Sequence, residues 1–296
     1  MRNVVVKFYG SELLDGSTEF KMNDVAAEAV IFQILAEHSL AAGLIGVFDD
    51  GRIEQYVAGR NLTVDDFSDF SIVSEIARKL AKFHSLSMPV SREVNFLEKM
   101  RKTFENVCEK DAIEDVEECE IGNIKALFNF PLFEEIDYFI KIAPSLNSPI
   151  VFSHNDFLYD NLLLKSNCGS SNDRILFMDF ELSSYNYRGY DIGYFLMMTQ
   201  FRSDHESVAF KYAPTDNFDA MKRYFVSEYL RETRRMSRNL DERVDNVDHL
   251  LLESDILGLH LLIYHFGFWR ASIYQFIDHY FEVKQQVLEK YDDKVN

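Results

Sequence analysis

Residues 151–165 read Val-Phe-Ser-His-Asn-Asp-Phe-Leu-Tyr-Asp-Asn-Leu-Leu-Leu-Lys, a polar interruption between two apolar runs. His154, Asp156 and Asn161 are each costly to bury unless something pairs with them. A fold for this chain must therefore give these groups a network or a ligand. Ile150–Phe152 reads as a strand, Ser153–Asp160 as a loop and Leu162–Leu164 as a return strand, which together make a buried hairpin. The stretch Asn-Cys-Gly-Ser-Ser-Asn-Asp that follows is a turn. Ile-Leu-Phe-Met-Asp-Phe-Glu is a further apolar strand ending in Asp179.

The flanking pattern is mixed. Val4–Tyr9 is β-branched and aromatic, hence a strand. Gly10–Asn23 is polar and ends at a helix N-cap candidate, Asn23 or Asp24. Apolar residues at Val25, Ala29, Phe32 and Leu35 have helical spacing. Residues 44–60 read as two strands joined by an Asp-Asp-Gly turn. From Asp65 the pattern is mainly helical: an amphipathic segment over 71–88 stopped by Pro89, one or two helices in 101–145, and a long aromatic-rich helical tail from Asp248 to Tyr291. We expect a lobe of strands and a helix over 1–58 and a larger, mainly helical lobe over 59–296, an α+β architecture.

The 296 residues carry a formal net charge of −18, which argues against a nucleic-acid binder, because phosphate contacts need a basic face. With 47% hydrophobic residues a large core is available. No apolar run reaches bilayer length, so stable membrane insertion is not expected. The N-terminus is a poor signal peptide. Cys108, Cys119 and Cys168 lack metal-type spacing, so the expectation is a cytoplasmic protein with unpaired thiols. One basic stretch, Tyr229–Asp245, reads as a solvated helix face with interleaved Glu232, Asp241 and Glu242.

Asp156, Asn161 and Asp179 each stand where a strand stops, so they converge where a ligand can reach them. An Asp, an Asn five residues on and a further Asp form an oxygen-rich set of the kind Mg²⁺ uses, with phosphates and water completing its shell. A carboxylate left over can accept a proton from a hydroxyl nucleophile, the division of labour in kinase-type phosphoryl transfer. One such residue alone would be read as a turn cap. Three at strand boundaries favour the chemical reading.

The run Ser-His-Asn-Asp-Phe-Leu-Tyr-Asp-Asn resembles the catalytic loop of protein-kinase-like small-molecule kinases. Met178–Gly193, with its Tyr-Asn-Tyr-Arg-Gly-Tyr-Asp-Ile-Gly core, resembles the signature of the choline/ethanolamine kinase family, and of its choline-kinase branch in particular. The resemblance extends through residues 4–10, 26–48, 51–62 and 79–89, and is weakest over 105–145 and 203–250. It implies a two-lobed protein-kinase-like fold, with a nucleotide-binding lobe over 1–58 and a catalytic and substrate-binding lobe over 59–296. It implies ATP and Mg²⁺ as cofactors and a small-molecule substrate, choline or ethanolamine. A homodimer is expected from the family habit. Residue by residue, the resemblance makes Asp156 the catalytic base and Asn161 and Asp179 the Mg²⁺ ligands. Lys7 touches the ATP phosphates and pairs with Glu28. Gln55, Tyr56, Val57 and Arg60 belong to the hinge that holds adenine. Asp191 braces the catalytic loop, His154 orients it, and Glu181 lies near metal or substrate. Tyr185 and Tyr187 are read as core.

Four departures from the family pattern stand out. The chain begins six residues before Lys7, without the glycine-containing loop that covers the phosphates. Met198 and Thr199 stand where the family has a carboxylate facing the ammonium and an aromatic residue. The C-terminal tryptophan pair aligns with Ile263 and Phe266, leaving Tyr264, Phe266 and Trp269 as candidate aromatic faces for a cation. Leu158 replaces a polar residue near the phosphates. The expected activity is ATP:choline phosphotransfer in phosphatidylcholine synthesis. An ethanolamine or other amino-alcohol kinase, and a catalytically silent kinase-like subunit, are the alternatives. An aminoglycoside-type phosphotransferase shares the loop but lacks the second signature.

Overall fold

The computed structural model describes residues 3–8, 22–49, 51–110, 131–166, 168, 173–204, 209–213, 217–237, 239–260 and 274–295. Val4–Phe8 (β1), Leu44–Phe48 (β2) and Gly51–Gln55 (β3) form an antiparallel sheet in the order β1-β3-β2. Gly51 makes the β2–β3 hairpin possible: a Cβ there would meet the Lys7 carbonyl at 2.4 Å and the Phe48 ring at 2.5 Å. Val25–Glu37 (α1) is capped by Asp24, whose side chain accepts from the Ala27 N–H at 2.8 Å. Asn23, the other cap candidate, instead donates to the Ser183 carbonyl at 2.6 Å.

The chain leaves the first sheet at Gln55 and enters a second at Gly59–Asn61 (β4). There β4 pairs with Leu162–Lys165 (β6), which also pairs with Ile175–Phe177 (β7). Ile150–Ser153 (β5) pairs with Ser184–Tyr187 (β8). The expected hairpin is therefore corrected: β5 and β6 flank the polar loop but belong to different sheets. The loop is too long for a tight turn, and it is anchored to more distant residues rather than closed on itself.

Helices supply most of the remainder: Phe70–His84 (α2), Phe96–Lys110 (α3), Leu132–Ile142 (α4), Arg188–Met198 (α5), Phe218–Met236 (α6), Val247–Gly258 (α7) and Tyr274–Val295 (α8). A short antiparallel ribbon, Phe201–Asp204 (β9) with Ala209–Tyr212 (β10), follows α5. Asp69 caps α2, accepting from Ser71 N–H at 2.8 Å, and α2 ends at His84, ahead of the Pro89 stop. Val73, Ile76, Ala77, Leu80 and Phe83 carry its apolar face into the core. The acidic run within 111–130 and the candidate aromatics Tyr264, Phe266 and Trp269 lie outside the described residues. Cys168 is a free thiol. Tyr185 is core, as expected, with its hydroxyl accepting from the Met88 N–H at 3.0 Å. The basic stretch is paired largely within itself, Arg235 with Glu232 at 2.7 Å and Arg243 with Asp241 at 2.6 Å, as a solvated face should be.

The helix that follows the polar loop is set by glycine. On α5, a Cβ at Gly193 would meet the Ser254 carbonyl of α7 at 2.2 Å and the Gly258 nitrogen at 2.6 Å. Arg188, buried at the start of α5, bonds Glu253 at 2.7 Å and Asp245 at 2.6 Å, locking the same crossing. Gly193→Ala should lower the unfolding free energy by about 1–3 kcal/mol or more, because backbone must move. Chemical denaturation measures this; an unchanged midpoint would contradict the crossing described.

Candidate active site

Asp191, fully buried on α5, organises the polar loop. Its carboxylate accepts from the backbone N–H of His154 at 2.6 Å and of Asn155 at 2.8 Å. His84 Nε2 is 3.0 Å away, and His84 Nδ1 is 2.8 Å from the Tyr229 hydroxyl. Burial pushes His84 below its ordinary value, so the ring is neutral, donating from Nε2 to Asp191 and accepting from Tyr229 at Nδ1. Burial alone would raise Asp191. The His84 bond, the two neighbouring imidazoles and the backbone donor outweigh it and hold the carboxyl below the usual range.

Asn155 then takes a left-handed conformation, φ 65°. It is held by bonds to the Leu182 carbonyl, Ser184 Oγ and Asn186, each at 2.8 Å. This turn projects Asp156. Asp156 Oδ2 accepts from Asn161 Nδ2 at 2.8 Å, and Oδ1 from the Tyr194 hydroxyl at 2.8 Å. Desolvation pushes the Asp156 carboxyl above its ordinary value, with Asp179 adding to the rise; His154, Tyr194 and Asn161 oppose it. Asp179 also has positive φ, 62°. His154 ties the two segments together, its Nε2 lying 2.8 Å from the Met178 carbonyl, while Met178 N–H donates to the Asn161 carbonyl at 3.0 Å. The structure thus gathers Asp156, Asn161 and Asp179 at the ends of three strands.

Lys7 reaches this cluster from β1, with Nζ 2.8 Å from Asp179 Oδ1 and 3.9 Å from Glu181. Burial works against its charge, but Asp179 and Glu181 win and raise its pKa, so it stays an ammonium. The expected Lys7–Glu28 pair is corrected. Glu28 bonds Arg52, a fully buried guanidinium on β3 that also bonds Glu54 at 2.6 Å and lies 4.6 Å from the Phe32 ring centre. The physical reason is position: Arg52 faces α1 from the sheet's central strand, whereas Lys7 on the outer strand faces the 179–181 segment. Of the hinge candidates, the Gln55 N–H donates to the Gly43 carbonyl at 2.7 Å and Tyr56 is exposed. Val57 lies between the two sheets, and Arg60 spends its guanidinium on Asp66 at 2.6 and 2.7 Å. Met198 is fully buried in the core, and Thr199 Oγ1 donates to the Leu196 carbonyl at 2.7 Å. Leu158 is also buried.

The donor chemistry fits Mg²⁺. Asn161 commits its amide nitrogen to Asp156, to Oδ2 at 2.8 Å and to the backbone carbonyl at 2.9 Å, which leaves its Oδ1 as the group for a cation. Asp179 gives one oxygen to Lys7 and keeps the other. Among the described residues no three His, Cys, Asp or Glu side chains gather as a closed metal cage. A hard cation that shares its shell with phosphates needs no such cage.

The choline/ethanolamine kinase family profile matches residues 2–293. A human choline/ethanolamine kinase is 33% identical over 273 residues, covering 90% of this chain and 65% of that protein. This chain belongs to the choline/ethanolamine kinase family. Mouse choline kinase alpha is 30% identical over 296 residues, 96% of this chain and 64% of its own length. This member of the family therefore spans about two-thirds of the length of such relatives. A choline kinase structure from Cryptosporidium parvum superposes with TM-score 0.70 at 20% identity, over 98% of this chain and 83% of that one. The fold is the protein-kinase-like α+β fold.

Several site residues escaped sequence reasoning. Nothing in the sequence pattern signalled that Tyr194 aims its hydroxyl at Asp156. Arg52 sits in an alternating strand, where an arginine reads as surface. His84 was legible only as part of a matched run. The reassigned ion pairs give a direct test. Glu28→Ala removes one carboxylate partner from a buried guanidinium, which keeps Glu54, and should cost about 3 kcal/mol, whereas Lys7→Met, at a half-exposed pair, should cost under about 1 kcal/mol. Paired urea titrations check the order; the reverse order would restore the Lys7–Glu28 assignment.

Proposed function

We propose that this chain transfers the γ-phosphate of ATP to the hydroxyl of choline, giving phosphocholine and ADP, with a place in phosphatidylcholine synthesis. The observation that carries the reading is Asp156: a desolvated carboxylate, aimed by Asn161 and Tyr194, beside the Asp179–Lys7 pair. In this reading Asp156 accepts the acceptor hydroxyl's proton as the oxygen attacks phosphorus. Its raised pKa makes it a better base than an ordinary Asp. Lys7 offers a fixed positive charge to the phosphates. Asn161 Oδ1 and the remaining Asp179 oxygen would hold Mg²⁺, which when bound neutralises charge on the phosphoryl group. Gln55–Val57 would supply backbone groups to adenine.

For the acceptor, choline is favoured over ethanolamine. A quaternary ammonium accepts an apolar or aromatic surround, while a primary one needs hydrogen-bond acceptors. Met198, which stands where a carboxylate would have supplied such an acceptor, is itself packed in the core and offers none. Glu181 lies 3.9 Å from Lys7, on the phosphate side of the cluster. The matched human relative carries both acceptors in its name, which keeps ethanolamine as the second reading.

Asp156→Asn should lower kcat for choline-dependent ADP release by about 10²–10⁴-fold with KM little changed. Equal turnover in the variant would remove Asp156 from the reaction, and no turnover by the parent chain with either amine would support a silent subunit.

The pH profile gives a second test. Activity should fall on the acid side as Asp156 protonates, above the range of an ordinary Asp. Tyr194→Phe deletes a bond that favours the carboxylate, so the acid limb should move to higher pH. An acid limb that stays put while kcat falls would assign Tyr194 to packing.

A further inference from the structure

A second cavity, of about 660 Å³, opens between the end of α1, α2, α6 and the turn before β7. It shares no residue with the Asp156 site. Arg78, Lys79 and Lys82 of α2 and Arg231 and Arg235 of α6 line it, against three carboxylates. On a chain of net charge −18 this is a local reversal of sign.

The carboxylates are already committed. Glu75 accepts from Arg174 Nε at 2.9 Å and from the Ile175 N–H at 2.9 Å. Asp173 bonds Lys79 at 2.5 Å and Lys165 at 2.9 Å, with Lys79 itself buried. Glu232 holds Arg235 through bonds at 2.9 and 2.7 Å. Glu232 also lies well inside a positive field. The Arg235 bond chiefly, and then the charges of Arg235, Lys82 and Arg78, hold its carboxyl below the usual range. Arg78 gives its Nε to the Ser74 carbonyl at 3.2 Å. Among the described residues neither Arg78 nor Lys82 has a carboxylate within ion-pair distance.

The spacing makes the excess notable. Arg78 and Lys82 stand four apart on one helix, as do Arg231 and Arg235 on the other. Like charges four apart on a helix repel; Arg231 pairs with Glu228 and Arg235 with Glu232 on their own helix, so the repulsion left for a polyanion to relieve is chiefly that of Arg78 and Lys82. Guanidinium groups match phosphate oxygens in geometry, and the volume suits a small molecule. Leu40 is the sole apolar lining residue, so an acyl chain finds no wall.

We propose that this cavity binds a small solute bearing a phosphate monoester or diphosphate group, held between Arg78 and Lys82 on one side and Arg231 on the other. The test is isothermal titration with inorganic pyrophosphate in a Lys7→Ala background, which disables phosphate binding at the Asp156 site. Binding should persist there. It should weaken at least about tenfold when Arg78→Gln and Lys82→Gln are added, and also with Arg231→Gln alone. These side chains are exposed or half-exposed, so melting temperatures should stay near the parent's. Equal affinity with and without the α2 substitutions would overturn the proposal. So would absence of binding in the Lys7→Ala background, or binding only to phosphatidylcholine vesicles doped with phosphatidic acid.

Discussion

The carboxylate of Asp191 is the constraint on which the site depends. A buried anion needs donors, and this one finds two backbone N–H groups of the polar loop and the ring of His84. Those bonds fix where His154 and Asn155 lie. The left-handed turn at Asn155 then fixes the direction of Asp156. Because Asp191 sits on α5, the glycine-mediated crossing of α5 with α7 and the Arg188 pairs become part of the same support. The loop is aimed by the helical core rather than by its flanking strands.

Two carboxylates, Asp191 fully buried and Asp156 half-buried, are thus driven in opposite directions. Asp191 is held below its ordinary range by His84 and the loop backbone, while desolvation and Asp179 raise Asp156. Separation of this kind marks different tasks: a permanent anion that shapes the loop, and a carboxylate able to take up a proton. The sheet formed by β1, β3 and β2 is joined to this assembly through charge as well. Arg52 fastens α1 to the sheet, and Lys7 reaches from β1 to Asp179. A divalent cation at Asp179 would compete with Lys7 for that carboxylate, and so would couple the position of the first sheet to nucleotide binding.

The sequence made legible what depends on short-range pattern. The strands around the polar loop, the α1 cap at Asp24, the amphipathic α2 and the convergence of Asp156, Asn161 and Asp179 all follow from periodicity and from the cost of buried polar groups. Strand partners did not follow, because β5 and β6 have apolar faces that fit several neighbours, and the choice is made by Asp191 from a helix far along the chain. Ion-pair partners failed for the same reason. A lysine in an apolar strand demands a counter-ion, but which carboxylate serves depends on the sheet's order, and Arg52 on the central strand took Glu28. Tyr194 was invisible because a tyrosine in an apolar helix reads as core until its hydroxyl is seen 2.8 Å from Asp156.

The central claim is that this geometry moves a phosphoryl group onto an amino-alcohol. The most direct measurement is ³¹P NMR of the purified chain with Mg-ATP and choline, following the phosphorus itself. The account predicts a phosphomonoester signal from phosphocholine growing in step with ADP. Release of inorganic phosphate alone, or unchanged ATP with the protein folded, would contradict it.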